Sequence, residues 1–125
     1  MINLDYICIN CAQSIINSKN KEVKELENNL RKSLGILQED GVYAMFLWLE
    51  DKDKNIRGAI INLLLNESNI KKFLLPDSSN FPNNDFIQFC EKLREVAKDI
   101  DKLLFLKKLL ERTLTYALYH ARVGE

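Results

Sequence analysis

The chain is 125 residues long, and 46% apolar against 29% charged residues suits a folded domain rather than a disordered or fibrous chain. Its 18 basic and 18 acidic residues cancel to a formal net charge of zero. That excludes the global positive field of a nucleic-acid-coating protein and leaves only local patches for such a role.

Glycine and proline are scarce, four and two, which favours helices over a strand-and-turn architecture. From Asn3 to about Ser18, Leu4, Ile7, Cys8, Cys11, Ala12, Ile15 and Ile16 recur at helical spacing. The "NSKN" at 17–20 predicts a break, with Ser18 or Asn20 able to cap the next element. From Lys21, Val23, Leu26, Leu30, Leu34 and Leu37 return every three or four residues with charges between them, an amphipathic helix. Gly41 stands where its C-terminal cap belongs.

The octamer "VYAMFLWL" (42–49) then has no polar face. Ala44, Met45 and Leu47 are helix formers, so the reading is a helix that must be covered on all sides, at the centre of the core or against another chain. "EDKDKN" (50–55) predicts a solvated turn, with Asn55 capping a helix from Ile56 to about Leu65 that contains Gly58. A short helical turn before Pro76 and a loop, "PDSSNFPNN", follow. Asp85 with Gln88 reads as a capping box, opening a pattern from Phe86 through Ile100. Leu103, Leu106, Leu110, Leu114, Ala117 and Ala121 continue it, so 85–122 is one long helix or two nearly continuous ones. The expected architecture is all-α: one compact domain over residues 1–125, a bundle of about five to six helices with a long C-terminal helix.

No constellation reads as an active site. Cys8 and Cys11 form a CxxC, but the remaining cysteine and the single histidine, Cys90 and His120, stand at no zinc-ligand spacing. The pair reads instead as two small residues on one helix face. His120 has Ala117 three residues before it, where a di-iron bundle places glutamate. The acid pairs Asp51/Asp53 and Asp99/Asp101 read as solvated charge, and no glycine-rich phosphate loop is present. The expectation is therefore no catalysis, no cofactor and no metal. Three cysteines without an apolar leader predict reduced thiols and a cytoplasmic location, and no apolar run is long enough to cross a membrane.

The basic residues are more suggestive. Residues 102–125 hold five cations against two acids, whereas residues 1–50 hold five against seven. Lys108 and Arg112 share a helical row that Thr115 and Tyr119 continue, Arg31 and Lys32 form a second basic pair, and Lys52, Lys54 and Arg57 a third. Cations beside an aromatic ring suit a nucleic-acid backbone and a stacked base.

"NNLRKSLGILQEDGVYAMFLWLEDKDK" and "LLERTLTYALYHARV" resemble the small all-helical subunit of type III-B CRISPR effector complexes, the Cmr small subunit. The resemblance runs from about residue 5 to 122 and is carried by hydrophobic pattern around the glycine turn "EDGVYAMFLWL" and the terminal helix "LTYALYHAR". It implies a non-catalytic subunit that self-associates by stacking along the complex beside other effector subunits and lines the groove holding guide and target RNA. Arg31, Lys32, Lys108 and Arg112 are then the expected RNA contacts. Tyr43, Phe46, Trp48 and Tyr119 are the expected protein interface, although packing alone would place Phe46 and Trp48 in the core. The alternative is a helical protein–protein adaptor or regulatory module with no nucleic-acid role.

Overall fold

The computed structural model describes residues 3–17, 22–77, 79–82 and 85–124, and among them the chain forms seven helices and no strand. The proposed caps Ser18 and Asn20 lie outside the described residues. Short polar side chains set most of the helix starts. Asn3 Oδ1 accepts from the Tyr6 amide at 3.0 Å and opens α1 (Leu4–Asn17). α2 (Val23–Asp40) ends at Gly41, whose amide reaches the carbonyls of Ile36 and Leu37. With φ 101° and ψ −178°, Gly41 adopts a conformation essentially restricted to glycine. That corner starts α3 (Val42–Lys52) without a linker.

Asp53, not Asn55, caps α4 (Lys54–Asn66), its Oδ1 accepting from the Ile56 amide at 3.2 Å. Asn55 already lies in the first turn of α4, so the aspartate in the non-helical conformation takes the role. α5 (Ser68–Leu74) stops at Leu75, the residue before Pro76, where the ring excludes helical backbone. Asp85 accepts from the Gln88 amide at 3.2 Å and opens α6 (Phe86–Ala97). Of the two forms anticipated for 85–122, the chain takes the interrupted one. Asp99 leaves the helical region and accepts from the amides of Asp101 and Lys102 at 3.0 and 3.3 Å, starting α7 (Ile100–Val123). The count exceeds the expected five or six because the short turn before Pro76 forms α5 and 85–122 divides into α6 and α7.

α7 is the axis of the bundle, touching α1, α2, α3 and α6 along a buried stripe that includes Leu106, Leu110, Leu114 and Ala121. It also meets α5 through Phe105, whose ring stands edge-on to Phe73 with centroids 5.0 Å apart. α2 runs antiparallel to it: Lys107 Nζ donates to the Gln38 carbonyl at one end, and Arg122 meets Glu27 at the other.

The apolar octamer is not covered on all sides. Val42, Met45, Phe46 and Leu49 are buried, whereas Tyr43 and Leu47, one turn apart, remain 38% and 48% exposed. Phe46 is fully buried with its ring edge-on to Phe89 at 4.8 Å, so it offers no surface to a partner and the interface assignment for it is corrected to core. Phe89 also meets Phe81, which is buried against the bundle. At the α3–α4 corner, Asp53 is 2% exposed and accepts from Asn29 Nδ2 of α2 at 2.9 Å. Beside it Arg57 Nε lies 2.8 Å from Glu50, and its guanidinium sits 5.7 Å from the centre of the Phe86 ring. No helix among the described residues is long and apolar enough to cross a membrane.

Candidate nucleic-acid interface

The buried stripe of α7 leaves an outer face on which Lys108, Arg112, Tyr119 and Arg122 are exposed. The helical period alone produces this, since positions 108, 112, 115, 119 and 122 fall within one sector. From Lys108 to Arg122 the face runs about 21 Å at 1.5 Å per residue. Arg112 Nη1 stands 3.8 Å from Asp5 Oδ1 of α1, and both side chains are about half exposed. The same Asp5 oxygen accepts a hydrogen bond from the Tyr116 hydroxyl. That bond, more than anything else around it, holds the phenol proton and raises the Tyr116 pKa above its ordinary value.

On α2, Arg31 Nη2 lies 3.3 Å from Glu27 Oε2, while the other Glu27 oxygen is 3.5 Å from Arg122 Nε of α7. One carboxylate thus ties the two helices together and places Arg31, one member of the predicted α2 pair, beside Arg122 of the α7 row. Lys32 and Lys108 are exposed and hold no ion pair or hydrogen bond among the described residues. Lys108 and Arg112 also flank a small cleft of about 180 Å³ floored by Leu4, Cys8 and Leu109.

The third basic group behaves differently. Lys54 is 3.6 Å and Arg57 2.8 Å from Glu50, and Lys52 is 3.3 Å from Asp51, so these cations serve the corner's own ion pairs. Of the predicted protein contacts, Tyr119 is 57% and Tyr43 38% exposed, and the Tyr43 hydroxyl accepts from Arg94 Nη1 of α6 at 3.4 Å. Trp48 is half-buried against the core.

Sequence reasoning missed Arg122, although the i, i+3, i+4 series beyond Tyr119 reaches it. It also missed Asp5 and Glu27 as counter-ions, for which separations of 107 residues or 95 residues leave no local signal.

The cysteines are packing groups. Cys8 Sγ points at the Leu109 carbonyl at 3.6 Å and Cys11 Sγ at the Ala59 carbonyl at 3.7 Å. Burial raises both thiols, that of Cys11 to about 12, so each stays protonated near neutrality. Asp53 and Asp99 act as helix caps, and His120 is exposed near the end of α7. Among the described residues no group of three or more His, Cys, Asp or Glu side chains is placed to hold a metal ion. No protein-family model, curated protein or solved structure matches the chain.

Proposed function

We propose that the chain is a non-catalytic, RNA-contacting small subunit of a type III-B CRISPR-like effector complex. The observation that carries this reading is the exposed cationic face of α7, where Lys108, Arg112 and Arg122 accompany Tyr119 and Arg31 of α2 lies beside Arg122, on a body of zero net charge. A neutral subunit with one basic strip gains affinity for a polyanion only when several copies or partners align their strips along it. That suits a subunit stacked beside others on guide and target RNA. Arg31, Lys32, Lys108 and Arg112 take the backbone contacts in this reading, with Arg122 added to them.

The test is a tagged pull-down from the native host, with mass spectrometry of the proteins and extraction of any bound RNA. A multi-subunit assembly carrying a short guide RNA is the expected recovery, and the combined Lys32→Glu, Lys108→Glu and Arg112→Glu variant should lose RNA while keeping its helical circular-dichroism signal. Recovery of the protein alone, or of an assembly in which this variant holds RNA normally, overturns the assignment.

A helical adaptor is the second reading, favoured by the exposed apolar pair Tyr43 and Leu47 on α3. Partner binding that is insensitive to salt and leaves no RNA in the eluate would select it.

A further inference from the structure

The cleft of about 180 Å³ edged by Lys108 and Arg112 lies between α1 and α7. Leu4 and Cys8 line it from α1, Phe105 and Leu109 from α7. The short Cys8 side chain ends 3.6 Å from the Leu109 carbonyl and leaves room that a longer residue would fill. Phe105 is braced by Phe73, whose ring meets it edge-on. Pockets for drug-sized molecules hold roughly 300–1,000 Å³, so this one admits a single small ring system.

Both charges at its edge are positive, and the chain does little to neutralise them. Lys108 holds no ion pair or hydrogen bond among the described residues. Arg112 meets Asp5 at 3.8 Å, between two half-exposed groups, and donates no hydrogen bond among those residues. The complement of an apolar slot beside two cations is a flat ring with negative charge close to it. A nucleotide has that form, its base carried between phosphates. An aromatic residue in an acidic peptide shares part of the chemistry. The position of the cleft favours the nucleotide: Lys108 and Arg112 also belong to the α7 face proposed for the RNA backbone, so a strand on that face passes over the opening.

We propose that the α1–α7 cleft takes one unstacked base of the bound RNA, while Lys108 and Arg112 hold the phosphates on either side of it. This rests on the RNA-contacting reading and deepens it. The lining also sets the selectivity. Leu4, Phe105 and Leu109 have no polar side-chain atom, and the Cys8 thiol is already directed at the Leu109 carbonyl. With no hydrogen-bonding group to read a base edge, the cleft accepts any base.

The test compares uridine pentamers with and without their bases, on the same sugar–phosphate backbone, by fluorescence anisotropy against the full chain at low salt. Removing the bases should weaken wild-type binding about tenfold or more. Two substitutions act on the cleft from opposite sides: Phe105→Leu removes the ring, and Leu4→Trp, in the first turn of α1, fills the space. Circular dichroism and thermal unfolding identify the variant that keeps its fold. In it the uridine strand should lose about tenfold in affinity, whereas the abasic strand keeps its wild-type value. Adenine and cytosine pentamers should match uridine within about threefold. Equal binding of the two uridine strands by wild type, or a base contribution that survives both substitutions, overturns the inference and leaves the RNA-contacting reading in place. No measurable binding of the uridine strand also overturns it, and the RNA-contacting reading then stands or falls on the pull-down. An acidic pentapeptide with a central phenylalanine that binds wild type more tightly than the uridine strand, and is lost in the variants, gives the cleft to a protein partner instead.

Discussion

A carboxylate that is 2% exposed at the α3–α4 corner has to find its partners inside the protein, and Asp53 does so with the Ile56 amide and Asn29. Replacing it with alanine removes a cap and strands the Asn29 amide, so Asp53→Ala should lower unfolding free energy by about 2 kcal/mol in urea titrations. Asp51→Ala, two residues away and exposed beside Lys52, should change it by no more than about 0.5 kcal/mol. Cys11 makes a second residue-level prediction, through pH. Its thiol is raised from an ordinary value of 9.0 to about 12, chiefly by burial. The unfolded chain therefore loses this proton first, and the stability that Cys11 contributes is intact below pH 9 and declines as pH rises from there towards 12. Cys8 shifts in the same direction. Between pH 8 and pH 10.5, wild type should lose about 2 kcal/mol more than Cys11→Ala, read from urea midpoints at each pH.

Helix boundaries in this chain are decided by which short polar residue escapes the helical conformation. The pattern of apolar residues made the helices and their order legible, and Gly41, Asp85 and the residue before Pro76 marked their ends correctly. What the pattern could not rank was Asp53 against Asn55, two candidate caps in one polar stretch, or Asp99 against continued helix, where periodicity runs on and only the capping geometry interrupts it. The octamer of α3 was ambiguous for a different reason: with no polar residue in it, sequence gives no sign of which apolar residues face outward. The packing of α6 and α7 selects Phe46 for the core and leaves Tyr43 at the surface. Phe46→Ala should accordingly cost about 3–5 kcal/mol, whereas Tyr43→Ala should cost under about 1 kcal/mol. Thermal unfolding of the two variants side by side checks the assignment of the two faces.

For the whole molecule, zero net charge conceals an uneven surface. The basic row on α7 was legible because its members are near neighbours in sequence, but its neutralising carboxylates were not, since Asp5 and Glu27 arrive from the other end of the chain. Their presence sets the expected behaviour of the proposed RNA surface. Asp5→Ala releases Arg112 from its pair and removes one negative charge from the rim, so single-stranded RNA should bind about two- to threefold more tightly at low salt. Filter-binding titrations across ionic strength would show that gain shrinking as salt rises, and an unchanged affinity at every ionic strength would remove Arg112 from the surface.

The central position of α7 bears on how the chain is made as well as how it stands. A ribosome delivers α1 to α5 before the helix that five others touch has been synthesised. The apolar stripes of α1 and α2 therefore emerge with their main partner still unmade, and their shared core cannot close until the two dozen residues of α7 clear the exit tunnel. Until then those stripes are surfaces that a chaperone would hold.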